Sequence, residues 1–166
     1  MDRRALLGML AWPLAAQASE EWSGFSARSR ATLRFFGLRV YDAQVWSAVP
    51  LSAEGWAQQP FALTLSYHRR LQGEEIAKRS LVEMRRQGPI SDADAARWLA
   101  EMQAAFPDVN EGDRITGRHE PGQGARFFVN GRLQREVREP GFATRFFGIW
   151  LSPQTSEPGL REQLLR

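Results

Sequence analysis

Hydrophobic and polar positions change period several times along the chain. Phe61, Leu63, Leu65 and Tyr67 alternate with Ala62, Thr64, Ser66 and His68, a period of two that predicts a half-buried strand. Ahead of it, Thr32 to Trp46 is a run of β-formers interrupted at Gly37, which reads as two strands or one strand bent by the glycine. Pro50 to Pro60 is a loop or a short helical turn. From Gly73 the period lengthens: Ile76, Ala77, Leu81 and Met84 share one side of a helix, Glu75, Lys78, Arg79 and Arg86 face out, and Gly88–Pro89 ends it. Ser91 with Asp94 three residues on has the form of a capping box. Ala95, Trp98, Leu99, Met102 and Phe106 then repeat at helical spacing until Pro107. Strands return at Asp113–His119 and Arg126–Val129. Asn130–Gly131 joins the latter to Arg132–Val137 as a hairpin, because a type I′ turn requires positive φ at both central residues. Phe142, Phe146, Ile149 and Trp150 mark a helix begun at Pro140, and a short final helix starts at Pro158. Strand runs and helix runs segregate, which predicts an α+β fold: an antiparallel sheet with helices packed on one face.

The first 18 residues follow another rule. Met1–Asp2–Arg3–Arg4 is a short basic start, Ala5 to Ala16 is apolar, and Ala16–Gln17–Ala18 supplies small residues where a signal peptidase reads. Pro13 would break a packed helix, and the run is shorter than the roughly 20 residues that span a bilayer. The expectation is a signal peptide over 1–18 and one folded domain over 19–166, periplasmic or secreted from a bacterium, with no transmembrane segment after cleavage. Arg3–Arg4 is compatible with either the general or the twin-arginine export route.

Composition narrows the chemistry. The 166 residues carry 22 basic and 19 acidic side chains, two histidines and no cysteine. Thiolate catalysis, disulfide scaffolds and cysteine metal sites are excluded, and neither histidine has a partner at ligand spacing, so no metal or cofactor is expected. The basic excess is small and the signs alternate along the chain, so nucleic acid is not an expected partner. His68, beside Arg69 and Arg70, reads as a surface residue, and His119 precedes the turn Glu120–Pro121–Gly122. Glu74, Glu75, Asp92 and Asp94 fall at helix starts, where negative charge is favourable. Pro121–Gly122–Gln123–Gly124 opens no helix and reads as a turn rather than a phosphate loop. Six tryptophans and ten phenylalanines fill a core or line an apolar pocket. Arg34 and Arg39 lie among apolar residues of the first strand region. There a guanidinium is either a solvated surface group or a two-pronged anchor for a carboxylate or phenolate.

Five segments, in order, carry a resemblance. They are Leu33–Trp46, Phe61–Arg70, Ile76–Arg85, the strand entry Phe106–Asp113, and Phe147–Ser152. Together they resemble the bacterial chalcone isomerase-like family over nearly all of the mature chain. The resemblance implies an open-faced β-sandwich, a large antiparallel sheet covered by helices on one side. Enzymes of this fold stabilise an enolate with an arginine, supported by a tyrosine and an asparagine from the first covering helix. The equivalent helix here has Ile76 in place of the tyrosine and Glu83 in place of the asparagine. Isoleucine offers no proton, and a carboxylate beside a developing oxyanion raises its energy. Other members of the fold bind fatty acids without catalysis, holding the carboxylate with an arginine.

The resulting expectation is an exported, non-catalytic domain that binds an apolar carboxylate such as a fatty acid. Arg34, the nearest match to the family arginine, is its anchor and Tyr67 a polar helper. The alternatives are an intramolecular lyase or isomerase acting on a chalcone-like enone, and a periplasmic interaction protein with no small ligand.

Overall fold

In the computed structural model, which describes residues 19–166, six strands form one antiparallel sheet in sequence order. They are β1 (Ser26–Phe35), β2 (Leu38–Ser47), β3 (Phe61–Tyr67), β4 (Arg114–Glu120), β5 (Gly124–Val129) and β6 (Arg132–Val137). Helices α1 (Gly73–Arg85) and α2 (Asp92–Ala105) are inserted between β3 and β4, and α3 (Pro140–Leu151) and α4 (Pro158–Leu164) follow β6. This is the expected α+β architecture. The segment 1–18, with its expected export signal, lies outside the described residues.

Local chemistry accounts for the element boundaries. The Ser91 hydroxyl accepts the Asp94 N–H at 3.1 Å and caps α2, a contact typically worth about 1 kcal/mol. Asn130 and Gly131 both have positive φ, +49° and +84°, as a two-residue I′ hairpin requires. The β-former run divides at Phe36–Gly37 into two strands rather than one bent strand. β1 also begins six residues earlier than its hydrophobic pattern, at Ser26. Ser26 to Arg30 are mostly exposed, so pairing with β2 (Ser26 opposite Ser47) extends the strand where no periodicity marks it.

The helix-facing side of the sheet is aromatic. Phe146 on α3 lies within 6 Å, centroid to centroid, of Phe106, Phe127, Phe142, Phe147 and Trp150. Most of these contacts are edge-on, the arrangement favoured by ring quadrupoles. The opposite side is polar but not bare at its centre. A short 3-10 turn, Glu20–Trp22, crosses it, and Trp22 stacks on Trp46 at 4.4 Å. The fully buried Glu21 accepts from Arg114 at 2.8 Å and from Thr116 at 2.7 Å. Thr116 in turn meets Thr64 at 2.8 Å. This cover is why Ala62 and Thr64 are buried along with Leu63 and Leu65, where alternation alone predicts a strand wet on one face.

Candidate functional site

Between the sheet and helices α1 and α3 lies a cavity of about 350 Å³, within the usual size range of small-molecule sites. Leu33 and Leu65 from the sheet, Ile76 from α1, and Phe146 and Ile149 from α3 supply most of its apolar wall. The polar groups converge on one part of it. Tyr41 and Tyr67 face each other across β2 and β3 as register partners, with ring centroids 5.9 Å apart. The Trp150 indole N–H donates to the Tyr41 hydroxyl at 2.9 Å. The oxygen of Tyr41 is therefore occupied as an acceptor, while its own proton has no partner among the described residues. Tyr67 is 3% exposed, and its hydroxyl has no hydrogen bond among those residues.

Burial keeps both phenols protonated. It pushes the Tyr41 hydroxyl up to about 12, against the lowering effect of the Trp150 hydrogen bond and with help from Glu157 and Glu83. Burial raises Tyr67 further, and the neighbouring Tyr41 adds to the rise. An unfolded tyrosine loses its proton near pH 10 while these two keep theirs. Their contribution to stability is thus complete below pH 10 and declines above it, Tyr41's being lost by about pH 12 and Tyr67's still falling beyond that. A two-unit rise at Tyr41 is worth about 2–3 kcal/mol. Urea unfolding between pH 9 and pH 12 should show a falling stability whose slope is shallower in Tyr41→Phe; an identical slope would mean that Tyr41 is solvated.

The mouth of the cavity carries charge. The Arg79 side chain is largely exposed and its guanidinium lies 2.6 Å from Glu83 Oε1. Glu83 itself is buried. Its other oxygen, Oε2, makes no hydrogen bond among the described residues, the Arg86 guanidinium being 3.8 Å away. Glu75 and Glu157 complete the rim. Ile76, Arg79, Ser80 and Glu83 are spaced i, i+3, i+4 and i+7, one stripe of α1 turned to the cavity. That stripe was visible in the sequence, but an exposed arginine reads as solvent-facing unless the mouth is known. Tyr41 and Trp150 were not singled out either, being 109 residues apart.

The two sequence-derived site residues are not brought together. Tyr67 lines the cavity, whereas Arg34 is exposed beside the β1–β2 turn and donates to the Gly37 carbonyl at 3.3 Å. Consecutive strand residues point to opposite faces, which leaves Leu33 on the cavity wall and Arg34 off it. The histidines lie elsewhere. His68 is 2.9 Å from Asp42 on the outer side of the sheet. Asp42 also binds Thr32, Arg30 and Arg39. Burial opposes its ionisation, but hydrogen bonds from Thr32, Arg30 and His68 outweigh that and hold the carboxyl well below its ordinary value. His119 is 2% exposed, with Nδ1 3.0 Å from the Gln59 carbonyl; burial lowers its basicity. Among the described residues, no cluster of three or more histidine, aspartate or glutamate side chains is arranged to hold a metal ion.

An open antiparallel sheet covered on one face by helices, with a cavity between the layers, defines the class of fold. Residues 32–166 match the family model described as chalcone isomerase-like, and the chain belongs to that family. An uncharacterised protein of Haemophilus influenzae is 31% identical over 108 residues, 65% of this chain and 52% of that protein. The chain thus spans about half the length of that relative. Among solved structures, the crystal structure of an Arabidopsis thaliana fatty-acid binding protein superposes with a TM-score of 0.58 at 13% identity. The match covers 86% of this chain and 84% of that one, a likeness of fold.

Proposed function

We propose that this is an exported, non-catalytic domain whose cavity holds an apolar carboxylate such as a fatty acid. The carrying observation is the pair of buried phenols, Tyr41 and Tyr67, whose protons are unclaimed among the described residues in a cavity with a mainly apolar wall and a charged mouth. Two neutral O–H donors suit a carboxylate head, and the leucine, isoleucine and phenylalanine wall suits its chain. Arg79 replaces Arg34 as the charged group within reach, because it borders the cavity and Arg34 does not. The Arabidopsis protein of similar fold is a fatty-acid binding protein, which points the same way. Catalysis of the enolate type is disfavoured by what lines the wall: Ile76 supplies no proton, and Glu83 supplies negative charge where positive charge is required.

Glu83 has a consequence for affinity. A bound carboxylate meets a second, buried carboxylate that also competes for Arg79. Glu83→Gln keeps the shape, removes the repulsion and releases Arg79. Titration calorimetry with a medium-chain fatty acid should show tighter binding in Glu83→Gln by about tenfold. It should show weaker binding in Tyr41→Phe/Tyr67→Phe by about tenfold or more, since a hydrogen bond to a charged group is worth about 1.5–3 kcal/mol. The corresponding fatty alcohol should be indifferent to Glu83→Gln. Equal binding of acid and alcohol in all variants would remove the carboxylate from the reading. Export is tested separately, by fractionating cells that express the full chain and looking for a shortened product outside the cytoplasm.

A further inference from the structure

The two tight hairpins of the sheet share a backbone and differ in chemistry. At β5–β6 the turn is Asn130–Gly131, with φ of +49° and +84°; at β1–β2 it is Phe36–Gly37, with φ of +48° and +78°. Asparagine is suited to the first position of such a turn, while a bulky aromatic there is a backbone outlier. Nor does burial hold Phe36 in place, since it is 89% exposed. Its neighbours Phe35 and Leu38 are 61% and 62% exposed. Three large apolar side chains thus stand at the tip of an edge hairpin, with the Phe35 and Phe36 rings edge to face at 4.5 Å, and Phe36 holds a strained conformation that neither burial nor turn preference explains. Backbone strain of this kind clusters at functional positions.

The charges around the tip are basic. Arg34 donates to the Gly37 carbonyl and makes no ion pair among the described residues. Arg69 and Arg70 are exposed and likewise unpaired among those residues. The bond from His68 N–H to the Val40 carbonyl places their segment against the start of β2. Arg39 nearby is engaged by the buried Asp42. The acidic residues at this end of the sheet, Glu111 and Asp113, sit on the connection beyond β3, and Asp113 is occupied by Asn110 and Asn130.

We propose that the β1–β2 hairpin docks the domain on an anionic lipid bilayer. Phe35, Phe36 and Leu38 enter the boundary between head groups and acyl chains, and Arg34, Arg69 and Arg70 meet the phosphates. Exposed aromatics ringed by unpaired arginines match that interface in both polarity and charge. The strands of the same hairpin continue into the cavity wall through the register partners Leu33 and Tyr41. Docking therefore sets the cavity close to the bilayer, although the inference does not depend on what the cavity holds.

The test is flotation of the full chain with vesicles of phosphatidylcholine, with and without phosphatidylglycerol. Every variant carries the same N-terminal segment, so differences between variants report the hairpin. The wild type should float with the anionic vesicles. Phe36→Asn should lower the bound fraction about tenfold, as expected for losing one inserted phenyl group, while raising the unfolding midpoint by about 2–4 °C through relief of the turn. Leu38→Ser, which leaves the turn residues intact, should weaken binding in the same direction. Arg34→Gln/Arg69→Gln/Arg70→Gln should abolish the preference for anionic vesicles, and Leu133→Ser, an exposed apolar residue on the far edge strand, should change nothing. Unchanged flotation in Phe36→Asn and Leu38→Ser overturns the proposal. So does a wild type that ignores both vesicles, or one that self-associates through the hairpin instead.

Discussion

Ile76→Trp should weaken ligand binding, by up to about a hundredfold, and leave the fold standing. Ile76 projects from α1 into the cavity and is only partly buried, so the larger side chain enters space the protein does not otherwise fill. The fold loses little, because overpacking is costly only where neighbours must move. A bound acyl chain has no such freedom. It must either displace the indole or give up contact with the Leu65 and Phe146 walls, a penalty of about 1–3 kcal/mol, or up to roughly a hundredfold in affinity. Displacement of a fluorescent fatty-acid probe measures this directly, with Leu133→Trp on the exposed β6 face as a control for added indole. Wild-type affinity in Ile76→Trp would place the ligand outside this cavity.

Gly73→Ala should be strongly destabilising for a change of a single methyl. Gly73 opens α1, and a Cβ there would lie 2.1 Å from the Phe106 carbonyl oxygen and 2.7 Å from the Pro107 carbonyl carbon. Both are backbone atoms, which cannot rotate away. The two connections are also tied together. Leu71 and Val109 exchange backbone hydrogen bonds at 3.0 and 2.9 Å, and the Gly73 N–H donates to Asp108 at 2.9 Å. Relieving the clash therefore breaks the zipper that seats the start of α1 over the cavity. The expected cost is about 3 kcal/mol or more, a fall in midpoint on the order of 10 °C, with a matching loss of ligand affinity. A shift within about 2 °C would mean that the two connections slide freely.

Much of the fold could be read from residues whose chemistry acts locally. Asn130–Gly131 fixed one turn, Ser91 and Asp94 fixed a helix start, and the alternation from Phe61 to Tyr67 located a strand. What could not be read depended on contacts between distant segments. Ser26 to Arg30 join the sheet through pairing alone. Thr64 and Thr116 are dry because residues near Glu21 fold back over them. Within the site, Tyr67 was legible as the end of an apolar strand face. Arg34 was favoured by its apolar neighbours, but it follows Leu33 directly on β1, and strand alternation leaves Leu33 on the cavity wall and Arg34 outside it. Arg79 is exposed in the ordinary sense and still borders the cavity. The Tyr41–Trp150 hydrogen bond joins β2 to α3, and no local pattern predicts it.

The central claim, that the cavity holds an apolar carboxylate through Tyr41 and Tyr67, is tested most directly by native mass spectrometry of protein purified without added lipid, followed by solvent extraction of whatever it retains. The account predicts an added mass that extraction identifies as a fatty acid, and its absence from Tyr41→Phe/Tyr67→Phe. A wild type that carries nothing, or a retained molecule without a carboxyl group that survives in the double variant, would contradict it.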